Sequence, residues 1–170
     1  MIYRFRIVLD VLDDVFRDIE VRENNTLEDL HNAITQAFGF DGTEMASFYL
    51  SDDKWNQGEE FGLFEVGDPS IDPVRMMDET CLNDILSREQ TKMIYVYDFL
   101  NMWTFYVELA EITEPIDGTN YPNLLYAHGV LPESPPDKNF EAEEDDFNDD
   151  LDNNPDFENL DDFDFDEHWN

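Results

Sequence analysis

The side chains best suited to catalysis are few in this chain and stand apart. Its histidines are His31, His128 and His168, and its one cysteine is Cys81. No HExxH pair, no cluster of Cys and His with metal-ligand spacing and no G-x-S-x-G around a serine accompanies them. His31 lies at the edge of an apolar helical stripe, and Cys81 lies between Thr80 and Leu82 in what we expect to be a packed short helix, as structural residues commonly do. The sequence therefore predicts no catalytic constellation.

Motifs for phosphates and metals are equally weak. Neither G-x-x-x-x-G-K-[ST] nor G-x-G-x-x-G occurs. Alternating Asp, Asn and Glu residues between 150 and 158 offer oxygen ligands, but Pro155 interrupts them. No glycine lies beyond Gly129 to form the sharp turn of a calcium loop. We predict no specific metal site and no cofactor.

Basic residues gather near the start of the chain, where two interpretations remain open. Four of the nine, Arg4, Arg6, Arg17 and Arg22, lie in the first two apolar segments. They form either a stripe that binds an anion or an acidic peptide, or an exposed face on which they pair with neighbouring Asp and Glu residues. The second is favoured, because cross-strand ion pairs are common on sheets.

Apolar periodicity predicts an α+β domain. Residues 3–11 and 15–21 alternate like the two half-buried strands of a hairpin, and residues 46–50, 92–99 and 103–112 read as further strands. Residues 26–40 predict the main helix, with Thr26 as its N-cap and Gly39 at its end. Residues 78–86 predict a short helix, and residues 51–73 read as turns around a short apolar piece. We expect one main helix packed across a mixed or largely antiparallel sheet.

Charge and composition divide the chain near Pro132. Residues 133–170 contain 17 acids and one basic residue, Lys138, among Pro135, Pro136 and few apolar residues. Such a segment buries too little apolar surface to offset its ordering cost. We therefore predict a folded domain over residues 1–132 and a disordered acidic tail over residues 133–170.

The tail carries aromatic residues that could bind a partner. They are densest near its end, at Phe163, Phe165 and Trp169, where acids keep them in contact with solvent. That pattern is typical of a linear motif for a basic, apolar groove. A tail that only adds solubility remains the alternative.

The net charge of −34 excludes several classes of function. Proteins that bind nucleic acid gain most of their affinity by neutralising phosphates with Lys and Arg, so we predict no direct nucleic-acid binding. Docking on an anionic membrane is disfavoured for the same reason. The chain shows no signal peptide and no apolar run of membrane-spanning length, and we expect a cytoplasmic protein.

Four segments taken together resemble a known family. TLEDLHNAITQAFGF (26–40), FYLSDDKW (48–55), the acidic short helix, and IYVYDF followed by Trp103 are similar to the plasmid pRiA-type (Ri-plasmid) open-reading-frame-three family over about residues 1–126. Some members are described as transposon passenger or resolvase-like TnpR proteins. The resemblance implies a small α+β protein whose biochemical role is not established. It also implies a site built from the positions that match the family motifs, namely His31, Tyr97, Asp98, Phe99 and Trp103.

The chain departs from the family pattern in two places. The family usually reads YDFGDGW, whereas Leu100, Asn101 and Met102 stand here in the glycine-rich turn. The Cys-Pro-Pro-Glu-Asp segment that often follows the family's Tyr-Pro is absent after Pro122. A resolvase activity also conflicts with the charge, because a serine recombinase needs clustered arginines and a basic DNA-binding region.

Three functions stay open on the sequence. The favoured one is a non-enzymatic binding or adaptor module whose acidic tail engages a basic protein partner. An enzyme with a site around His31, Asp98 and Trp103 is the first alternative. An acidic DNA mimic linked to mobile elements is the second. The sequence specifies no oligomeric state.

Overall fold

The alternating residues near the start of the chain form two adjacent strands of one eight-stranded β-sheet. The computed structural model describes residues 1–65, 67–68, 70–71 and 73–135, and Met1–Pro135 form one compact unit. In chain order, its elements are β1 (Ile2–Leu9), β2 (Phe16–Arg22), α1 (Leu27–Phe38), β3 (Ala46–Ser51), β4 (Gln57–Gly62), β5 (Arg75–Met76), a 3₁₀ turn (Met77–Glu79), α2 (Leu82–Ile85), β6 (Lys92–Tyr97), β7 (Trp103–Thr113) and β8 (Asn123–His128).

The strands of the described residues follow the order β5-β4-β3-β6-β7-β1-β2-β8. Neighbouring strands are antiparallel except β4 and β5, which run parallel. The two predicted hairpins are confirmed, because β1 pairs with β2 and β6 pairs with β7. The sheet ends at β8 on one side and at the two-residue β5 on the other.

Helix α1 begins and ends at the predicted caps. The Thr26 hydroxyl accepts the backbone N–H of Asp29 at 3.1 Å, and the Asp29 carboxylate accepts the N–H of Thr26 at 2.9 Å. This reciprocal pair satisfies two amides that the first turn leaves free. Gly39 ends the helix at a φ of 86°, a left-handed conformation that costs glycine little.

The core lies between α1 and one face of the sheet. Leu30 and Ile34 of the helix are fully buried, as are Phe5, Tyr95 and Phe105 of the central strands. Side chains alternate along a strand, and Tyr3, Phe5, Ile7 and Leu9 of β1 are buried as the period-two pattern predicts. Ile2, which is out of phase with them, is buried as well. The sheet and its one main helix confirm the α+β prediction.

Three strands were not predicted, namely β4, the two-residue β5 and β8. β4 falls where the sequence reads as turns, because its first residues are polar and glycine-rich. β8 shows no alternation, since Leu124, Leu125 and Tyr126 are apolar in succession. There the register against β2 shifts so that Leu125 has no partner residue, which breaks the period-two pattern.

The short helix predicted over residues 78–86 is split into the 3₁₀ turn and α2. Cys81 is half-buried at the N-cap of α2, whereas we expected it inside a packed helix. Within the described ranges, no helix is long and apolar enough to cross a membrane. From residue 136 onward the predicted tail, with Phe163, Phe165 and Trp169, lies outside the described residues.

Candidate functional site

His31 is a core residue rather than a boundary residue of the helix. Its side chain is 2% exposed, and its Nδ1 lies 2.6 Å from the hydroxyl of the fully buried Tyr95. Burial lowers the pKa of His31 to about 4 and raises the pKa of Tyr95 well above its usual value. Both groups are therefore neutral at pH 7, and their hydrogen bond joins α1 to β6.

Tyr97 and Trp103 belong to the same aromatic cluster beneath α1. The Phe40 ring stacks on Tyr97 at 4.6 Å and packs against Trp103 at 5.4 Å between centroids. The Tyr97 hydroxyl donates to Oδ1 of Asp41 at 3.0 Å and accepts the Gly42 N–H at 3.0 Å. These bonds hold the loop after α1 against the end of β6, so the polar tip of Tyr97 is used structurally.

Asp98 and Phe99 form the turn between β6 and β7. The Asp98 carboxylate accepts the Leu100 N–H at 3.2 Å and the Asn101 side-chain amide at 2.6 Å. Asp98 and Met102 have φ angles of 66° and 57°. Met102 occupies the second glycine position of the family's turn, so the residue that replaces glycine keeps a left-handed backbone.

The predicted site residues are neighbours, but His31, Tyr97, Asp98 and Trp103 do not line the cavity beside the turn. His31 and Trp103 are buried, and Asp98 is largely buried with its carboxylate bonded to the turn. A cavity of about 220 Å³ opens beside the turn and is lined by Phe99, yet His31, Asp98 and Trp103 are not in its walls. Among the described residues, no group of three or more His, Cys, Asp or Glu side chains is placed to hold a metal ion.

The exposed edge strand β8 is a surface that the sequence reading missed. Leu124, Leu125 and Tyr126 are 49%, 47% and 53% exposed. They lie in residues 118–132, the longest stretch of this acidic chain without Asp, Glu, Lys or Arg. β8 itself contains no proline and no charged residue, the two features that commonly protect sheet edges. An interruption of the acidic pattern was the signal that could have located it.

An uncharged groove of about 230 Å³ lies beside β8. Ala33, Gln36 and Ala37 of α1 form one wall, and Pro122 and Leu124 contribute to the other. Every residue that lines it is uncharged. The groove therefore adds a place for apolar or amide-bonding side chains next to the edge strand.

Arg17 holds the end of β8 in place, and it does not belong to the exposed face of paired arginines that the sequence predicts. Arg4 pairs with Glu20 and Glu111, and Arg6 with Asp18, as predicted for an exposed face. Arg17 alternates onto the opposite face of β2, in phase with Ile19, and is buried.

The guanidinium of Arg17 is bound by backbone carbonyls. Its Nε donates to the Ala37 carbonyl at 3.1 Å, its Nη1 to the His128 carbonyl at 2.8 Å and its Nη2 to the Gly129 carbonyl at 3.2 Å. It also lies 4.7 Å above the centroid of the Phe38 ring. Burial lowers the pKa of Arg17. One side chain thus joins the end of α1 to β8.

Comparison with known proteins identifies the family. The family model described as "Plasmid pRiA4b ORF-3-like protein" matches residues 1–167. The chain belongs to this family. The resemblance found over residues 1–126 is therefore confirmed, and the match continues well beyond it.

One solved structure supports the fold assignment. It is the crystal structure of a protein of unknown function from Methanosarcina mazei Go1, with a TM-score of 0.68 and 25% sequence identity. The similarity covers 78% of this chain and 72% of that chain. No curated protein matches the chain. The comparisons establish family and fold, and they name no reaction for either protein.

Proposed function

We propose that this protein is a binding module that adds an extended, basic segment of a protein partner to β8. The observation that carries the proposal is the uncharged, apolar and exposed edge strand in a chain of net charge −34. Strand addition draws affinity from main-chain hydrogen bonds and specificity from side-chain pockets beside the edge. The uncharged groove between α1 and β8 is such a pocket.

Electrostatics selects the kind of partner. Residues 1–132 contain 26 acids and 8 bases, so the acid-free strand belongs to a domain of strongly negative net charge. A second copy of the chain would bring two strongly negative molecules together, which opposes association. A partner segment with an apolar strand flanked by Lys and Arg would pair with β8 and would also be attracted by the negative charge of the domain.

The acidic tail fits the same class of partner. Phe163, Phe165 and Trp169 stay predicted contacts, with acids that attract a basic protein and aromatics that anchor it. An edge strand and a tail that bind one partner together raise its affinity through effective concentration.

A peptide titration tests the edge. A ten-residue peptide of alternating Lys and Val is added at physiological salt, and binding is read by calorimetry and by hydrogen exchange of the β8 amides. We expect saturable binding and slower exchange in β8. A Lys–Gly peptide of equal charge is the control, because it keeps the attraction but has little tendency to form a strand.

Matched variants separate edge binding from general attraction. Leu124→Lys with Tyr126→Lys places gatekeeper charges on the edge and should weaken binding at least about tenfold. Leu12→Lys with Leu100→Lys changes the net charge equally at two fully exposed positions and should leave affinity within about twofold. Equal weakening in both pairs, or unchanged exchange in β8, would refute the proposal.

A further inference from the structure

A second cavity lies away from β8, on the part of the sheet toward β5. It is the space of about 220 Å³ beside the turn between β6 and β7. Ser47 of β3 and Glu60 and Gly62 of β4 contribute to its walls, together with Phe64 and Phe99. In the strand order, four strands lie between β3 and β8 and five between β4 and β8, so this cavity is independent of the proposed edge site.

The polar part of the cavity is a carboxylate fixed by a buried hydroxyl. Ser47 is 2% exposed and donates its Oγ–H to Oε2 of Glu60 at 2.8 Å. Tyr49 lies directly opposite Glu60 in the pairing of β3 with β4. Burial raises the pKa of the Tyr49 hydroxyl, and the negative charge of Glu60 raises it further. None of the ion pairs among the described residues involves Glu60.

The apolar part of the cavity includes two exposed aromatic side chains. Phe64 is 51% exposed and Phe99 is 38% exposed, although both are large apolar residues. An aromatic face attracts a cation, and a guanidinium both stacks on aromatic rings and forms two hydrogen bonds to a carboxylate. Carboxylate and aromatic rings around one cavity therefore favour a planar cationic group.

The size of the cavity limits which ligands can fit into it. Its 220 Å³ lies below the range of about 300–1,000 Å³ that is typical of pockets for whole small molecules. It suits one side chain. We propose that this cavity accepts an arginine side chain of a protein partner, with the guanidinium bound to Glu60 and packed against Phe64 and Phe99.

The test compares two capped amino acids of similar shape, of which one is cationic and the other neutral. N-acetyl-arginine methylamide and its citrulline analogue have nearly the same shape, but only the first carries a guanidinium. Each is titrated into the full chain at physiological salt while amide chemical shifts are recorded. We expect the arginine compound to bind at least about tenfold more tightly and to shift the resonances of Ser47, Glu60 and Phe99.

Variants of Glu60 and Glu59, adjacent residues on opposite faces of β4, provide the decisive control. Glu60→Gln and Phe99→Ala should each weaken the arginine compound about tenfold. Glu59→Gln removes the same charge from the neighbouring position, where Glu59 pairs with Arg75 at 3.6 Å, and should leave affinity unchanged. Thermal midpoints of the variants show whether the fold is kept. Phe99 is partly exposed, so Phe99→Ala removes a wall of the cavity without removing a core residue.

Three results would overturn the proposal. Equal weakening by Glu59→Gln would show attraction to the acidic surface as a whole. Equal binding of the citrulline compound would show that no cation is selected. Tighter binding of agmatine, which has a guanidinium but no peptide backbone, would show that the ligand is a small amine rather than a side chain of a protein.

Discussion

The aromatic cluster beneath α1 and the edge strand β8 differ in burial and in the role we assign to them, the cluster holding the fold together and β8 being the proposed binding surface. The cluster contains the residues of most distinctive type, His31, Tyr95, Tyr97 and Trp103, and all four are buried. β8 consists of ordinary residues that are half exposed. The histidine and the tyrosines of the motif therefore indicate how this fold is held together, whereas the proposed binding surface is marked by an absence of charged residues.

We expect the largest loss of stability from a substitution in the buried aromatic cluster. Trp103→Ala removes an indole that packs against Phe40, and we expect it to lower the free energy of unfolding by about 3–5 kcal/mol. Leu125→Ala on β8 should cost less than about 0.5 kcal/mol, because the side chain is already half exposed. Urea denaturation measures both. Similar losses would mean that β8 is packed as firmly as the core.

The His31–Tyr95 pair should make stability depend on pH. The pKa of His31 is about 4 in the folded chain and about 6.5 when unfolded, so between these values only the unfolded chain takes up the proton. The stability that the neutral imidazole provides is complete above pH 6.5 and is lost as the pH falls toward 4. The expected loss is about 3 kcal/mol at pH 4.

A variant that cannot titrate isolates this effect from the many carboxylates. His31→Gln keeps a group that can hydrogen bond to Tyr95 but has no imidazole. We expect the difference in unfolding free energy between His31→Gln and the natural chain to shift in favour of the variant as the pH falls from 7 to 4. A difference that stays constant over that interval would show that His31 does not remain neutral in the fold.

Arg17 connects the two regions, and its replacement should loosen β8 more than the core. Arg17→Lys keeps the charge but cannot form the planar set of bonds to the carbonyls of Ala37, His128 and Gly129. We expect a loss of about 2 kcal/mol, because partly buried carbonyls lose a charged donor. Hydrogen exchange should quicken in β8 and remain slow in β6. Uniform quickening would place Arg17 in the global core instead.

The sequence predicts those parts of the fold in which local and long-range preferences agree. Helix α1 is predicted from its caps and apolar stripe because both favour one helix. The alternating hairpins are predicted because a face that must be buried fixes the period. β8 escapes prediction because neither of its faces is fully buried, so nothing imposes alternation.

The candidate site is predicted less well, and the reason is physical. Residue types indicate chemistry only when solvent and ligand reach them. The burial of His31 depends on how α1 is rotated about its axis against β6. The spacing of apolar residues does not determine that rotation closely enough to decide whether a residue at the edge of the stripe is buried. Residue type does not distinguish Arg17 from Arg4 and Arg6. In β2, however, Arg17 alternates in phase with Ile19 and Val21 and so lies on their face of the sheet. That phase was the available signal.

A smaller and opposite effect is expected at the turn below the cluster. Met102 has a φ of 57°, which costs a residue with a side chain about 1–2 kcal/mol. Met102→Gly removes that cost but loses more chain entropy on folding, so we expect a net gain of about 0.5–1 kcal/mol. Asp98→Gly is the contrasting variant. It also stands at a positive φ, but its carboxylate bonds to Leu100 and Asn101 would be lost, so it should not stabilise.

The smallest expected effect tests the boundary between the domain and the predicted tail. Met1–Pro135 form one compact unit, and Leu131 packs against the core just before Pro132. Removing residues 136–170 takes away 16 acids and one basic residue, and relieves like-charge repulsion. We expect the free energy of unfolding to change by less than about 0.5 kcal/mol. In the full chain, Phe163→Ala, Phe165→Ala and Trp169→Ala together should likewise leave stability unchanged, while reducing capture of any partner that the edge binds. A loss above about 2 kcal/mol on truncation would mean that the segment packs on the domain and that the predicted boundary is wrong.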